Sequence, residues 1–227
     1  MISSIFASIS GIVSSFRRHA VTSHNVANAG TYGYKARRMV AQENRTGGVD
    51  STHLQRMDSQ GPLIHTGQPL DLAIHGDGFF QLERNDGTIA YCRSCIFSID
   101  AGRGLTTASG QRILPTITVP IDASHLMMTN RGEVRATIDG QTRVLGQIEI
   151  VRFGNPSGLV SVGDNLLVES AASGPPVIGI PGSGGMGILV QESLEGSNVD
   201  LATEFVMEIL SSVHFKANLK TLKTQDE

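Results

Sequence analysis

Tryptophan is absent from this 227-residue sequence, and aromatic residues together make up only 5% of it. So few large rings, beside 26 glycines, argue against a helical bundle and for short strands joined by many turns. No apolar run of about 18 residues occurs, so no membrane-spanning helix is expected. Charge of one sign is also lacking: the formal net charge is −3, which gives no global field toward nucleic acid or anionic lipid. The opening MISSIFASISGIVSSF has no basic residue ahead of it and has Arg17 and Arg18 behind it, so no cleaved signal peptide is expected.

Cysteine is limited to Cys92 and Cys95, in one CRSC. A redox CxxC needs a helix N-terminus to lower a thiolate pKa. The flanks IAY and IFSI read as strand instead, and strand positions three apart face opposite sides. The expectation is two thiols in a strand, with neither a disulfide nor a shared metal. The catalytic patterns HExxH and GxSxG are missing too. Seven histidines (19, 24, 53, 65, 75, 125 and 214) are scattered, and His24 reads as a helix-end residue. Asp71, Asp77 and Asp100 are potential acids, and Asp71 or Asp77 could serve a hydrolase, but nothing pairs them in sequence. No enzyme, metal or cofactor is expected.

Two amphipathic helices are present. Ile2, Ile5, Phe6, Ile9, Ile12, Val13 and Phe16 recur at helical spacing, with serines on much of the other face. The pattern fades beyond Ala20, and Asn28 and Gly30 are candidate helix ends. Near the other end, Ser197-Asn198 offers an N-cap and Asp200 a first-turn acid, ahead of Val199, Ala202, Phe205, Val206, Ile209, Leu210 and Val213; that pattern weakens after Phe215. The ends differ in charge. Arg17, Arg18, Lys35, Arg37 and Arg38 lie near the start with no acid; Glu192, Glu195, Asp200, Glu204, Glu208, Asp226 and Glu227 lie near the finish, so the ends can complement each other. Each set also reads as a solvated helix face.

Between them the pattern is β. Leu70, Leu72 and Ile74 alternate with Asp71, Ala73 and His75. Asn85-Asp86-Gly87 and Asp139-Gly140 signal hairpins, and further strands are expected over 88–99, 113–119, 146–153, 165–169 and 188–192. The division expected is a terminal helical part, 1–35 with 195–227, a polar connector at 36–66 and a β domain at 67–194. GSGGMG at 182–187 matches GxGxxG, but Pro181 precedes it and the strand-like ILVQE follows, where a dinucleotide site needs a helix. Asn44-Arg45-Thr46 fits a glycosylation sequon too common to use. The basic cluster at 35–38 has only Tyr32 and Tyr34 beside it, so no nucleic-acid partner is expected.

Three stretches carry a resemblance. SHNVANAGTYGYKARR near the start, GQPLDLAIHGDGFFQLERNDGTIAYCRSCIFSIDAGRGLTTASG in the middle and LEGSNVDLATEFVMEI near the end are similar, in order and over nearly the whole chain, to the bacterial flagellar basal-body rod and hook family, most closely to its rod proteins. Asn25, Ala27, Asn28, Thr31, Gly33, Tyr34 and Lys35 match the N-terminal signature; Gly76, Gly78, Phe79 and Phe80 the β signature; Gly196, Ser197, Asn198 and Val199 the start of the C-terminal helix. The sequence departs from the family at Cys95, where Gly is common, and at His214, where Arg is usual. Its connector is short for a distal rod protein, and both distal and proximal rod positions stay open.

The resemblance implies a mixed, mainly β fold whose central β domain is flanked by N- and C-terminal amphipathic helices that pair as a coiled coil. It implies a non-enzymatic rod subunit that polymerises with copies of itself and other rod and hook proteins. It also implies passage through the flagellar type III export apparatus, without a cleaved signal, to a rod crossing the periplasm. Ile2, Ile5, Ile9, Ile12, Val13, Phe16, Val199, Ala202, Phe205, Val206, Ile209, Leu210 and Val213 would then be subunit contacts. Asn25, Asn28, Gly30, Thr31, Gly33, Tyr34 and Lys35 would turn the chain from helix to β domain, with Tyr32 and Tyr34 burying rings at a boundary. The competing reading is a self-contained monomer that grips a small ligand with the Gly-rich loops of the β domain.

Overall fold

The computed structural model describes residues 2–44 and 47–224, without the side chains of residues 2–4, 51 and 52. Arg45 and Thr46 of the sequon, the Ile2 side chain, Asp226 and Glu227 lie outside the described residues. The chain divides into two compact units, residues 1–59 with 197–227 and residues 60–196. Among the described residues the fold is mainly β, with one long helix toward each end.

The first unit holds α1 (Ile2–Ala27), β1 (Arg37–Glu43), β2 (Val49–Arg56) and α2 (Leu201–Lys223). Helix α1 outlasts its apolar pattern by seven residues, because Thr22 and Asn25 are buried and extend its inner face with polar side chains. Residues 37–56, read from polarity as connector, form the antiparallel hairpin β1–β2, with Arg37 paired to Arg56 and Glu43 to Val49. The hairpin packs on α1, where Ser10 Oγ accepts a hydrogen bond from Val49 N at 3.0 Å.

The cap of α2 is Asp200, rather than Ser197-Asn198: its Oδ1 accepts from Ala202 N at 3.2 Å and its Oδ2 from Thr203 Oγ1 at 2.6 Å. These bonds hold the Asp200 carboxyl below its ordinary 3.8, the Thr203 hydroxyl contributing most. A carboxyl depressed in the folded state adds stability that is complete above its ordinary pKa and is lost as pH falls through the depressed value. The first turn of α2 should therefore fray in acid, below about pH 4. Far-ultraviolet circular dichroism would show a helical loss on acidification that Asp200→Asn removes.

The second unit contains β3 (Leu63–His65), β4 (Asp71–His75), β5 (Phe79–Glu83), β6 (Ile89–Cys92), β7 (Ser94–Ile99), β8 (Leu105–Thr107), β9 (Arg112–Ile113), β10 (Ser124–Met128), β11 (Glu133–Ile138), β12 (Gln141–Gln147), β13 (Ile150–Arg152), β14 (Val160–Gly163), β15 (Leu166–Val168), β16 (Val177–Gly179), β17 (Ile188–Gln191) and β18 (Ser193–Glu195). The main sheet runs β14-β15-β6-β5-β9-β8-β7-β4-β17, with β13 joined to β5 and β16 to β13; β10-β11-β12 and β18-β3 form smaller sheets. Leu72, Ile74, Phe80, Leu82, Leu105, Ile113, Ile148 and Ile150 are fully buried in one core. A second cluster stacks Tyr91 and Phe79 edge-on against Phe153.

Both signalled hairpins form. Asn85-Asp86-Gly87 joins β5 to β6, and Asp139-Gly140 joins β11 to β12 with φ of 50° and 75°, the left-handed pair that a two-residue turn requires. Several expected strands are broken. Residues 88–99 split at Arg93 into β6 and β7, 146–153 splits after Gln147, and 113–119 keeps only its first residue in β9 because Pro115 has no N–H for a ladder.

The break at Arg93 overturns the expectation for the cysteines. The chain turns a corner there rather than alternating through it, and Cys92 and Cys95 form a disulfide with their Cα atoms 6.7 Å apart.

Candidate assembly surfaces

The helix pair is built on small and polar residues. Along α2 the less exposed positions are Glu204, Glu208, Ser211, Ser212, Phe215, Asn218 and Leu222, which apart from Ser212 alternate steps of four and three. They meet α1 in antiparallel order. Asn218 lies opposite Gly11, whose missing side chain leaves the amide its room. Ser211 Oγ donates to Ser15 O at 2.7 Å, Phe215 packs edge-on against Phe16 at 6.3 Å between ring centres, and His19 Nδ1 stands 2.5 Å from Glu208 Oε1. Ser14 Oγ and Glu208 Oε2 are buried there without a hydrogen bond.

The apolar stripes read from the sequence lie largely elsewhere. Phe6, Ile9, Val13 and Phe16 on α1, and Phe205, Val206, Ile209, Leu210 and Val213 on α2, are exposed, as is Ala202; Ile5, Ile12 and Val199 are half-buried. Phe16 and Ile209 keep 68% and 63% of their surface in water. These rows lie on the two helices that a polar seam already holds together.

The joint is organised by two asparagines. Asn25, 1% exposed, receives Arg37 N at 2.9 Å and the Tyr34 hydroxyl at 3.0 Å on its Oδ1; its Nδ2 donates to Arg37 O at 2.8 Å and to Glu204 Oε1 at 2.8 Å. One side chain thus ties the last turn of α1 to the start of β1 and to α2. Asn198 serves the returning chain. Its Oδ1 accepts from Ala36 N at 2.7 Å, and its Nδ2 donates to Met57 O at 2.8 Å and Ser59 O at 3.0 Å. Lys35, largely buried, donates from Nζ to Ser59 O at 2.7 Å. Asn28 caps the end of α1 by donating from Nδ2 to His24 O, and its Oδ1 accepts from the Thr31 hydroxyl. Of the two joint glycines, Gly33 takes the left-handed conformation, at φ 69°, while Gly30 is exposed with nothing near its Cα that a side chain would meet. Tyr34 is buried, which raises its hydroxyl pKa, whereas Tyr32 is exposed. In sequence Asn198 stood out as a helix-cap signal and in the match to the start of the family's C-terminal helix, neither of which points to partners about 140 to 160 residues away.

Asn25→Ala should leave the half-buried Arg37 amide and the buried Tyr34 hydroxyl without these partners, a cost of about 2–4 kcal/mol. Urea unfolding followed by the helical signal would measure it; a loss under about 1 kcal/mol would deny Asn25 this position.

The Gly-rich loops of the second unit meet one another. His75, Gly76, Asp77, Gly185, Met186, Gly187 and Ile188 line an open depression of about 490 Å³. Gly187 N donates to Asp77 O at 2.7 Å, and a Cβ on Gly187 would stand 2.5 Å from His75 O. The glycine therefore serves close backbone approach. Strand β17, not a helix, follows the GSGGMG loop, so no helix N-terminus faces it. Among the described residues no group of three or more His, Cys, Asp and Glu could hold a metal, and no helix is long and apolar enough to cross a membrane.

Comparison with known proteins gives the arrangement its context. Residues 73–136 match the flagellar hook protein FlgE/F/G D1 domain, and residues 190–227 the flagellar basal body rod FlgEFG protein C-terminal family. The flagellar basal-body rod protein FlgG of Agrobacterium fabrum is 36% identical over 91% of this chain and 89% of its own. The FlgG of Bacillus subtilis is 36% identical over 100% of this chain and 96% of its own. The flagellar hook protein FlgE of Salmonella typhimurium is 40% identical, over 48% of this chain and 27% of its own. With family regions in its β unit and at its C-terminal helix, and with similarity along its whole length, the chain belongs to the flagellar basal-body rod protein family.

Proposed function

We propose that this chain is a structural subunit of the bacterial flagellar basal-body rod that polymerises helically through its terminal helices into a drive shaft between basal body and hook. The observation that carries the reading is the rows of large apolar side chains left in water on both α1 and α2. A monomer seldom leaves so much apolar surface exposed on paired helices, and copies of the same helices can cover it. The steps of four and three along the polar seam suit coiled-coil pairing of α1 with α2. The buried but unbonded Ser14 Oγ and Glu208 Oε2 cost that seam some stability, which contacts with neighbouring copies would offset. The β unit, with its own core, forms the outer layer.

The partners that follow are copies of the chain, adjoining rod and hook proteins, and the type III export apparatus, which passes the chain across the inner membrane without cleaving a signal. The place is the rod crossing the periplasm. The subunit is not an enzyme and takes no cofactor, small-molecule substrate or nucleic acid.

The test is incorporation. Cells whose only copy ends at Asp200 should export the shortened chain yet build no rod, with electron microscopy of isolated basal bodies as the readout. Normal rods from such cells would refute assembly through α2.

A further inference from the structure

Four consecutive residues, Cys92 to Cys95, do two things at one corner of the β unit. Cys92 and Cys95 are joined as a disulfide, both nearly buried in the main core. Between them Arg93 and Ser94 grip Glu195, the last residue of β18. Arg93 donates from Nε and Nη2 to Glu195 Oε2 at 3.1 and 3.0 Å, and Ser94 Oγ accepts from Glu195 N at 3.0 Å. The guanidinium also bonds Gly78 O and lies 5.7 Å over the Phe79 ring. The other carboxylate oxygen of Glu195 accepts from Gly61 N at 3.0 Å, and the next residue, Gly196, donates from its N to Pro62 O at 2.8 Å. Residues 60–62 begin this unit and residues 195–196 end it. The corner therefore clamps together the two segments by which the chain enters and leaves the β unit.

The two cysteines belong to different ladders. Cys92 is paired with Phe80 in β5, and Cys95 with Leu72 in β4. Without a cross-link, the Arg93 backbone is a one-residue break between strands and can shift with either of them. The cross-link ties the ends of both ladders together beside the guanidinium that meets Glu195. We propose that the Cys92–Cys95 pair is a redox latch on the Arg93–Glu195 clamp: the oxidised pair locks the entry and exit segments together, and the dithiol lets them open.

Closing forms the Sγ–Sγ bond and removes two electrons and two protons from the thiols. An external low-molecular-weight disulfide accepts them through a mixed disulfide and leaves as two thiols. The latch thus closes only where such an oxidant persists.

Hydrogen exchange on the full-length protein tests this, with the oxidised chain compared against the chain reduced by dithiothreitol and the redox state fixed by intact mass. The amides of Gly61, Glu195 and Gly196 should exchange about tenfold faster or more in the dithiol form, while that of Ile148, bonded to Gly132 O elsewhere in the core, holds its rate. The double variant Cys92→Ala with Cys95→Ala should show the fast rates at those three amides and no response to reductant. Unchanged exchange on reduction would overturn the latch. An equal rise at all four amides would also overturn it, since the disulfide would then be a general staple. So would failure of oxidised glutathione to close the pair.

Discussion

Glu195→Ala is expected to destabilise the β unit by about 3–5 kcal/mol, a large share of what holds a domain of this size folded. Glu195 is fully buried, with its carboxylate against Arg93, whose side chain is only 9% exposed. Bringing two such groups out of water is costly, and their mutual attraction offsets that cost only while both are present. Truncating Glu195 leaves a buried guanidinium with the Gly78 and Ile74 carbonyls and the Phe79 ring. It also leaves the Gly61 amide without its acceptor. Arg93→Ala should cost a similar amount, because a lone buried carboxylate is no better. The double variant should be less damaging than the sum of the two, since it removes both charges together. Urea unfolding followed by the β-sheet dichroism signal gives all three values. Additive losses, or a Glu195→Ala loss under about 1 kcal/mol, would show that the pair is not coupled in the interior.

That pair also marks where reading the sequence stopped. Glu195 read only as one of the acids near the end and Arg93 only as a position between two cysteines, and their separation of 102 residues hides the contact. The cysteines failed for a related reason. Alternation describes a strand only while the ladder continues, and the ladder breaks between them at Arg93, the residue that meets Glu195. Turns were legible where the chemistry is local. Asp139-Gly140 needs left-handed backbone at two adjacent residues, and few pairs tolerate it. The helices were legible as helices but not in their extent or in the residues that meet between them. Their apolar rows announced them, yet the seam between them runs through Ser15, Gly11, Glu208 and Ser211, residues that a periodicity argument assigns to solvent. Asn25 and Asn198 lay in stretches singled out by composition. What they bond to depends on a fold that brings the two ends of the chain together.

Phe205→Lys combined with Ile209→Lys should abolish assembly while leaving the isolated chain nearly as stable as before. In the single chain these side chains are 56% and 63% exposed, so each already pays little for contact with water. Lysine is a good helix former, and its attraction at 205 to Glu208 three residues on offsets the repulsion between the two lysines four apart, which limits the change to about 0.5 kcal/mol. In an assembly that covers the outward face of α2 the same positions lose their water. Covering a large apolar side chain contributes about 1.5–3 kcal/mol, and an ammonium placed there instead must be desolvated without a partner. The effect recurs at every copy. The contrasting change is Ser211→Leu in the seam, where 3% exposure and the bond to Ser15 O leave no room for a larger side chain. That variant should weaken the single chain by about 1–3 kcal/mol through overpacking, measured by urea unfolding. Outward and inward faces of one helix are thereby separated, one felt in sedimentation of assembled filaments and the other in the stability of the monomer. Rods formed normally by the double-lysine variant would mean that the apolar rows of α2 stay in water in the assembled state, and that copies meet through another surface.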